Sequence, residues 1–298
     1  MKDFSEIGDD QIRIIGQDNV SQPRRPKWKN IFFLVLGFVV IGVAIYVVVV
    51  FLTKEPEQIE LETAYYEPIV NPEPVELKRF GSEVDSLTAG FTEILDTLVN
   101  DIPIRIYIPH NAEMTLHLGR MDKADTTIIF TAQAADIRAD NGGIVGAFVL
   151  QGTPKAWGLS KKGYCASIDG KVTIGVADNS PLFEEATERG GYFFRQYPLV
   201  KDGQVVDNEL KGKAVRRGIC DRMGEIFMVE TQTAESLHDF AQALSDMSVE
   251  QAIYLVGSTA YGWAVDAEGT KHEFGEENYS KGHRRMPKNT SYIVWRRK

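Results

Sequence analysis

The chain has 298 residues, of which 43% are hydrophobic and 25% are charged, so it can bury a sizeable core and is not a disordered chain. Its formal net charge of −9 and its pI near 5.2 disfavour nucleic acid as a partner, because counterion release requires a basic surface. The two cysteines, Cys165 and Cys220, are too few for a disulfide framework. We expect them to form either one bridge or two buried thiols.

A long apolar segment lies near the N-terminus. Residues 31–52 read IFFLVLGFVVIGVAIYVVVVFL and contain neither a charged residue nor a proline. At about 1.5 Å per helical residue the segment reaches about 33 Å, which is enough to cross the hydrocarbon core of a bilayer. A cleaved signal peptide is the alternative, but its apolar region would be only about 7–15 residues long. The pattern therefore predicts a single N-terminal transmembrane helix, with membrane lipid as its partner.

The charges on either side of this segment predict its orientation. Only Lys54 follows it closely, whereas four basic residues precede it: Arg24, Arg25, Lys27 and Lys29. Because excess positive charge stays in the cytoplasm, residues 1–30 are expected to form a cytoplasmic tail. The C-terminal domain is then periplasmic or otherwise extracytoplasmic. Residues 53–77 are rich in proline and glutamate, which predicts an extended linker.

The outer domain, residues 78–298, begins with apolar residues at helical spacing. They recur three or four positions apart at Val84, Leu87, Phe91, Ile94, Leu95 and Leu98. This spacing predicts an amphipathic helix over residues 83–100, with Ser82 as a candidate N-cap.

Beyond residue 100 the apolar period changes to two, which is typical of β-strands. Strands are expected at residues 104–108, 114–118, 126–131 and 145–150. Asp-Gly pairs at 169–170 and 202–203 predict hairpins, because type I′ turns need positive φ. A Met-Gly pair at 223–224 predicts a third hairpin between residues 215–220 and 225–230.

Residues 233–247 give the clearest helical pattern of the outer domain. Leu237, Phe240 and Leu244 fall on one apolar stripe, and Thr233 is a plausible cap. Short strands are expected at residues 252–256 and 292–295. The sequence therefore predicts an α+β chain, in which a single N-terminal transmembrane helix precedes a mixed, mainly antiparallel sheet domain with two or three helices.

Generic signatures of metal and cofactor sites are absent from the sequence. The five histidines show no ligand spacing, and no glycine-rich phosphate loop, His-Glu-x-x-His or Cys-x-x-Cys pattern occurs. We therefore expect neither a metal nor a cofactor.

Two polar segments interrupt the predicted strands. Residues 135–143 combine acidic, basic and amide side chains with two glycines, whose backbone N–H groups can approach a ligand. Residues 256–263 place small residues and hydroxyls directly after an apolar strand. Each segment is either an ordinary turn or part of a binding site.

Four motifs, taken in chain order, resemble the phosphodiester glycosidase family, which is related to the enzyme that uncovers mannose 6-phosphate by removing N-acetylglucosamine. Residues 140–143 read DNGG and are similar to the Asn-Gly-Gly segment of that family. Residues 196–203 read QYPLVKDG and resemble its Pro-x-Leu-Val-x-Asp-Gly hairpin. Residues 216–220 resemble its Arg-Thr-Ala-Ile-Gly strand, and the late helix runs into residues 252–255 as in the family. The resemblance covers roughly residues 104–295.

The resemblance implies a membrane-anchored hydrolase of sugar-1-phosphodiesters or related envelope glycans, with a glycan or sugar-phosphate ligand as partner. In that interpretation Arg216 is the motif arginine that holds the phosphate, and Asp140 is the preferred acid. Asn141 would orient the substrate as a third catalytic residue. The substrate-binding positions would be Gly142, Gly143, Ser258, Thr259 and Tyr261.

One departure from the family pattern leaves the activity open. Where the family has Leu-Asp-Gly-Gly, this chain places Val256 at the position of the aspartate. Cleavage of a sugar–phosphate ester usually needs a carboxylate, which valine cannot supply. Either another acid substitutes or the domain is a catalytically inactive glycan-binding or partner-binding domain of the same fold, with a structural scaffold as a third possibility. The candidate acids are Asp136, Asp140, Glu230 and Asp266.

Overall fold

The computed structural model describes residues 41–43, 45–47, 78–277 and 287–298. Residues 41–43 and 45–47 are helical, and the rest of the predicted transmembrane segment, the cytoplasmic tail and the linker up to residue 77 lie outside the described residues. Among the described residues, no helix has the length and apolar character needed to cross a membrane.

The chain divides into two compact units, Met1–Val75 and Glu76–Lys298. The second unit is mainly antiparallel sheet with few helices, as the sequence predicts. Its described residues form the strands β1 Phe91–Val99, β2 Ile102–His110, β3 Ala112–Leu118, β4 Ile128–Gln133, β5 Ala147–Leu150, β6 Thr153–Trp157, β7 Gly163–Ile168, β8 Lys171–Val176, β9 Tyr192–Gln196, β10 Pro198–Lys201, β11 Gln204–Val205, β12 Arg217–Arg222, β13 Glu225–Thr231, β14 Gln251–Leu255, β15 Gly262–Val265, β16 Lys271–Phe274 and β17 Ser291–Arg297. The helices are α1 Leu182–Glu188 and α2 Leu237–Asp246.

The strands form three sheets. The seven-stranded sheet has the order β1-β2-β13-β12-β14-β10-β11, and the first five-stranded sheet has the order β16-β15-β4-β17-β3. The second five-stranded sheet has the order β6-β5-β9-β7-β8. All strand pairs among the described residues are antiparallel, and six pairs of consecutive strands are hairpins: β1-β2, β5-β6, β7-β8, β10-β11, β12-β13 and β15-β16.

The predicted helix over residues 83–100 is wrong. The second half of this segment is β1, which pairs with β2 along its whole length, from Phe91 opposite His110 to Val99 opposite Ile102. Asn100 and Asp101 connect the strands with φ angles of 51° and 62°, as a two-residue hairpin turn requires. The backbone hydrogen bonds to β2 therefore outweigh the helical spacing of the apolar residues.

Ser82 is not a helix cap. Its backbone N–H donates to Glu93 Oε2 at 2.9 Å, and its hydroxyl donates to Glu93 Oε1 at 2.8 Å. The two bonds tie the segment before β1 to the strand itself.

The three predicted hairpin turns are confirmed. Residues 169–170 join β7 to β8, residues 202–203 join β10 to β11, and residues 223–224 join β12 to β13. In each pair both residues have positive φ, between 49° and 77°. Local turn chemistry was therefore sufficient to find these connections.

One central core is shared by all three sheets. Buried side chains of the seven-stranded sheet, such as Ile219, pack against Phe130 of the first five-stranded sheet and Phe148 of the second. The outer face of the seven-stranded sheet is covered by α2, and the outer face of the second five-stranded sheet by α1. The side of α2 that packs on the seven-stranded sheet is its apolar stripe, because these side chains are removed from water there.

The N-cap of α2 is Ser236, three residues later than expected. Its hydroxyl accepts the N–H of Asp239 at 3.0 Å, whereas the Thr233 hydroxyl donates to Glu235 Oε1. The apolar stripe itself is confirmed, since Leu237, Phe240 and Leu244 are each at most 2% exposed.

Both cysteines are free thiols in the core. Cys165 and Cys220 are fully buried in β7 and β12, and burial raises the pKa of each thiol. A raised pKa keeps them protonated, which suits packing rather than nucleophilic chemistry.

Candidate functional site

Strand ends from all three sheets meet at one place in the domain. The N–H of Val256, just after β14, donates to the carbonyl oxygen of Gln133 at the end of β4, at 3.0 Å. The side-chain amide of Gln196, at the end of β9, donates to Ala134 O at 3.2 Å. Because these strands belong to three different sheets, residues far apart in sequence are brought together here.

A polar cluster lies at this meeting point, and Lys161 is at its centre. The Lys161 ammonium donates to Asp136 Oδ2 and, at 2.7 Å, to Gln196 Oε1. It also lies 4.2 Å from the centre of the Tyr197 ring, a cation–π contact. The Lys161 side chain is only 6% exposed, while that of Asp136 is 34% exposed. The ammonium is therefore enclosed, and its carboxylate partner faces solvent.

Two tyrosines complete the cluster. The N–H of Tyr254 donates to Tyr197 O at 2.9 Å, and the Tyr254 hydroxyl accepts the N–H of Gly257 at 3.2 Å. Burial raises the pKa of Tyr197, and the nearby Asp136 carboxylate raises it further. The Tyr197 hydroxyl therefore stays protonated and can donate a hydrogen bond.

The predicted turn with Asp140, Asn141, Gly142 and Gly143 is the tip of a small hairpin that begins at Asp136. One bond within the turn and one from a distant residue hold it: the Asn141 side chain accepts the N–H of Gly143 at 2.8 Å, and the Asn289 side chain donates to Gly142 O at 2.8 Å. Gly142 has φ of +66°, a conformation that glycine adopts at no steric cost.

Asp140 is an exposed carboxylate paired with Arg138. The two side chains form a bidentate pair, with distances of 3.0 and 2.8 Å between their atoms. The hydrogen bonds from Arg138 lower the pKa of Asp140 to about 2. Asp140 is therefore ionised at neutral pH and lacks the proton that a general acid would donate.

Ser258, Thr259 and Tyr261 lie on the loop between β14 and β15. Ser258 has φ of +55°, and its N–H donates to Val215 O at 2.8 Å. The Tyr261 hydroxyl donates to Glu273 Oε1 at 2.7 Å, so this side chain contacts β16. The hydrogen bond from Ser258 to Val215 thus joins the loop to the segment before β12.

The Arg216 guanidinium contacts backbone on the opposite side of that segment. Its Nε donates to Glu235 O at 2.8 Å and its Nη2 donates to Gly212 O at 2.6 Å. The residue is 6% exposed. The structure therefore brings the Arg216 backbone close to Ser258 and directs its guanidinium to the entry of α2.

The neighbouring Arg217 is the arginine that contacts the Ser258 loop. It forms a buried ion pair with Glu230, and its guanidinium donates to Ala260 O at 2.7 Å and to Val256 O at 3.3 Å. The centre of the Phe274 ring lies 4.7 Å from the guanidinium carbon, a cation–π contact. Arg217 thereby fixes the path of the loop that follows β14.

Each of the four candidate acids contacts a basic side chain. Asp136 pairs with Lys161 and Asp140 with Arg138, while Glu230 pairs with Arg217 and Asp266 with His272. Of the four, Asp136 belongs to the Lys161 cluster, and Asp140 lies on the hairpin that begins at Asp136. Among residues 78–277 and 287–298, no group of three or more histidine, cysteine or acidic side chains is arranged to hold a metal ion.

Sequence reasoning missed Lys161, Gln196 and Tyr197 as a cluster. Gln196 and Tyr197 belong to the family-like hairpin motif of residues 196–203, whereas Lys161 lies in a polar segment without a motif. No sequence motif includes Lys161, and its φ of +70° is visible only in the structure. Such backbone strain in a residue other than glycine is often associated with function.

Comparison with known proteins gives likenesses in fold. The chain matches no family model and no curated protein sequence. Among solved structures it is similar to the catalytic domain of zebrafish N-acetylglucosamine-1-phosphodiester alpha-N-acetylglucosaminidase, auto-inhibited by its pro-peptide, with 13% identity and a TM-score of 0.49 over 74% of this chain and 86% of that chain. It is also similar to a hypothetical protein from Synechocystis, with 11% identity and a TM-score of 0.44 over 70% of this chain and 62% of that chain. These values describe a distant likeness in fold and carry no argument about activity.

Proposed function

We propose that the chain is a hydrolase of sugar-1-phosphodiesters or related envelope glycans, and that it acts where the strand ends of the three sheets meet. The observation that carries the proposal is the convergence of β4, β9 and β14 on one cluster of polar side chains. Loops at the ends of strands are the usual location of binding and catalytic groups, because the sheets hold them rigidly. The family-like motifs in the sequence supply the substrate class.

In this proposal Asn141 and the Gly142 and Gly143 amides orient the sugar or the phosphate. Ser258, Thr259 and Tyr261 would line the opposite wall, on the loop that Arg217 holds. Asp140 would act as an anion that stabilises the oxocarbenium-like sugar, since its low pKa leaves it ionised at neutral pH. The acid role predicted for it would require a more acidic medium.

The phosphate-binding role of Arg216 is part of the same proposal. Two of its guanidinium nitrogens donate to backbone carbonyls, so binding a phosphate requires the remaining donors or a rearrangement of the Gly212 loop.

We further propose that residues 31–52 anchor the protein in a membrane, with residues 1–30 in the cytoplasm and the sheet domain outside it. The support is the apolar run and the basic residues that precede it. Protease added to intact cells should then digest the sheet domain and spare the N-terminal tail. Protection of the sheet domain from the protease would contradict this orientation.

A binding domain without catalysis is the second candidate. Two observations favour it: Val256 stands where the family has an aspartate, and every candidate acid is already paired with a basic side chain. Such a domain would still recognise a glycan or a partner at the same place.

Hydrolysis by the full-length chain, purified in detergent, distinguishes the two. With UDP-GlcNAc or a GlcNAc phosphate ester as substrate, we expect turnover, and we expect Asp140→Asn to lower kcat about a hundredfold because it removes the anion near the sugar. Asp207→Asn is the control, since Asp207 is 96% exposed and lies outside the cluster.

Three outcomes would change the proposal. Saturable binding of glycan fragments without turnover would replace the hydrolase by the binding domain. An unchanged kcat in Asp140→Asn would remove Asp140 from the mechanism. Equal rates for the wild type and Arg216→Ala would reject a phosphate contact for Arg216.

A further inference from the structure

We propose that Lys161 is a further cation, besides Arg216, that binds the phosphoryl group of the substrate, and that Asp136 is the resting partner which the phosphate replaces. This inference deepens the proposed function and rests on it for the substrate class. It assigns a role to a buried lysine that none of the sequence motifs includes.

The backbone at Lys161 has an unusual conformation and is held in place by a neighbouring side chain. Lys161 has φ of +70°, a left-handed conformation that is strained for a residue with a side chain. The fully buried Arg195 holds the segment in place, because its Nη1 donates to Lys161 O at 3.0 Å. The fold therefore accepts local strain to place one amine at the junction of the sheets.

The contacts of the ammonium leave one position that an incoming anion can take. Gln196 Oε1 is a neutral acceptor within the fold, and the Tyr197 ring covers another side of the amine. The Asp136 carboxylate supplies the negative charge, and that side chain is 34% exposed. Of the three contacts, the partly exposed carboxylate is the one that an anion arriving from solvent would replace.

The charges favour a phosphodiester as the incoming group. A phosphodiester carries one negative charge at neutral pH and a phosphate monoester about 1.5 to 2, so either can supply the charge of the carboxylate beside the buried ammonium. A neutral sugar cannot, because leaving the ammonium with no anionic partner is costly. Lysine suits this task, since its compact ammonium accepts phosphate oxygens from several directions.

A hydroxyl is available to support the bound phosphate. Burial and the neighbouring Asp136 raise the pKa of Tyr197, so the phenol keeps its proton. Burial also lowers the pKa of Lys161, and the Asp136 carboxylate partly offsets that effect. A phosphate in place of Asp136 would maintain the charge that keeps the amine protonated.

Substitutions at the two partners should act in opposite directions. With the full-length chain in detergent, isothermal titration with N-acetylglucosamine 1-phosphate is compared with N-acetylglucosamine, which lacks the phosphoryl group. We expect Asp136→Asn to tighten binding of the phosphate probe about threefold, because the competing anion is gone, and Lys161→Met to weaken it about tenfold or more.

Two further variants separate charge from folding. Lys161→Arg keeps a cation and should retain part of the affinity for the phosphate probe. Lys162→Met is the matched control, because Lys162 is the next residue, is 64% exposed and pairs with the exposed Asp178. It should bind both probes like the wild type. Thermal unfolding of each variant shows whether it is folded.

The inference is overturned if Asp136→Asn and Lys161→Met weaken binding together, as a purely structural ion pair would. It is also overturned if Lys161→Met binds the phosphate probe normally, or if the wild type binds the phosphate probe no tighter than the neutral sugar. Failure here and failure of the proposed function remain distinguishable. Unchanged diester hydrolysis in Lys161→Met would reject only the role of Lys161. Absence of hydrolysis in the wild type would reject the proposed hydrolase activity.

Discussion

Arg216 and Arg217 are neighbours in the chain, but their side chains reach different parts of the fold. Arg216 donates to carbonyl groups near the start of α2, whereas Arg217 pairs with Glu230 and holds the loop after β14. The strand pairing decides which arginine serves which purpose, because Arg217 lies opposite both Glu230 and Leu255. A role inferred from sequence for one of these two adjacent arginines therefore cannot be transferred to the other.

The buried ion pair gives a prediction at the scale of single residues. Glu230→Gln leaves the Arg217 charge enclosed without an anion, and we expect it to lower the free energy of unfolding by about 3 kcal/mol. Urea unfolding of the full-length chain in detergent, followed by tryptophan fluorescence, measures the change.

An exposed pair provides the control for this measurement. Asp96 and Arg105 are 62% and 34% exposed, so Asp96→Asn should cost less than about 1 kcal/mol. If Glu230→Gln cost no more than Asp96→Asn, the Arg217–Glu230 pair would not stabilise the loop as described.

The two mistaken expectations at the scale of elements share one cause. The apolar residues of β1 recur at helical spacing, yet the strand pairs with β2 across a two-residue turn. Thr233 stands before the apolar stripe of α2, yet Ser236 is the residue with the extended backbone, at φ −67° and ψ 158°, that an N-cap requires. Spacing shows which residues share a face, and hydrogen bonds decide where an element begins.

Capping of α2 can be tested directly. Ser236→Ala removes the acceptor for the Asp239 N–H, and we expect it to lower the free energy of unfolding by about 1 kcal/mol. Thr233→Ala should change it by less than about 0.5 kcal/mol, because its hydroxyl bonds only to the Glu235 side chain at the surface. Equal effects in urea unfolding would contradict the assignment of the cap.

At the scale of the whole molecule, the domain depends on pairing between distant parts of the chain. The last strand, β17, lies between β3 and β4 in the interior of its sheet. Its Ile293 and Val294 side chains are fully buried. The candidate site depends on the same long-range order, since it exists only where strands of three sheets end together.

Removal of the last strand should therefore unfold the domain. Deletion of residues 291–298 takes away the partner of two strands and several buried side chains, at a cost comparable to a total stability of about 5–15 kcal/mol. We expect the thermal unfolding transition of the full-length chain to lose its cooperativity. Deletion of Lys298 alone, which is 60% exposed, is the control and should leave Tm unchanged. A cooperative transition at the wild-type Tm in the longer deletion would contradict this account.

Features that depend on a few adjacent residues were predictable. The hairpins at residues 169–170, 202–203 and 223–224 follow from turn chemistry, and the α2 stripe follows from its apolar period. Strands such as β9, β15 and β16 were not predicted, because they are short and lack a local turn signal. The clustering of Lys161 with Asp136 could not be predicted from the sequence, since the two residues are 25 positions apart and are next to strands of two different sheets.

The sequence by itself determined the class of the outer domain and most of its hairpins, because alternation and turn residues act between close neighbours in the chain. Only the tertiary structure decided that β1 is a strand, that Arg217 rather than Arg216 holds the Ser258 loop, and that Lys161 occupies the junction. Each of these outcomes is set by which distant backbone groups become hydrogen-bonded neighbours. The free energy of those bonds and of the shared core outweighs local preference once the three sheets assemble.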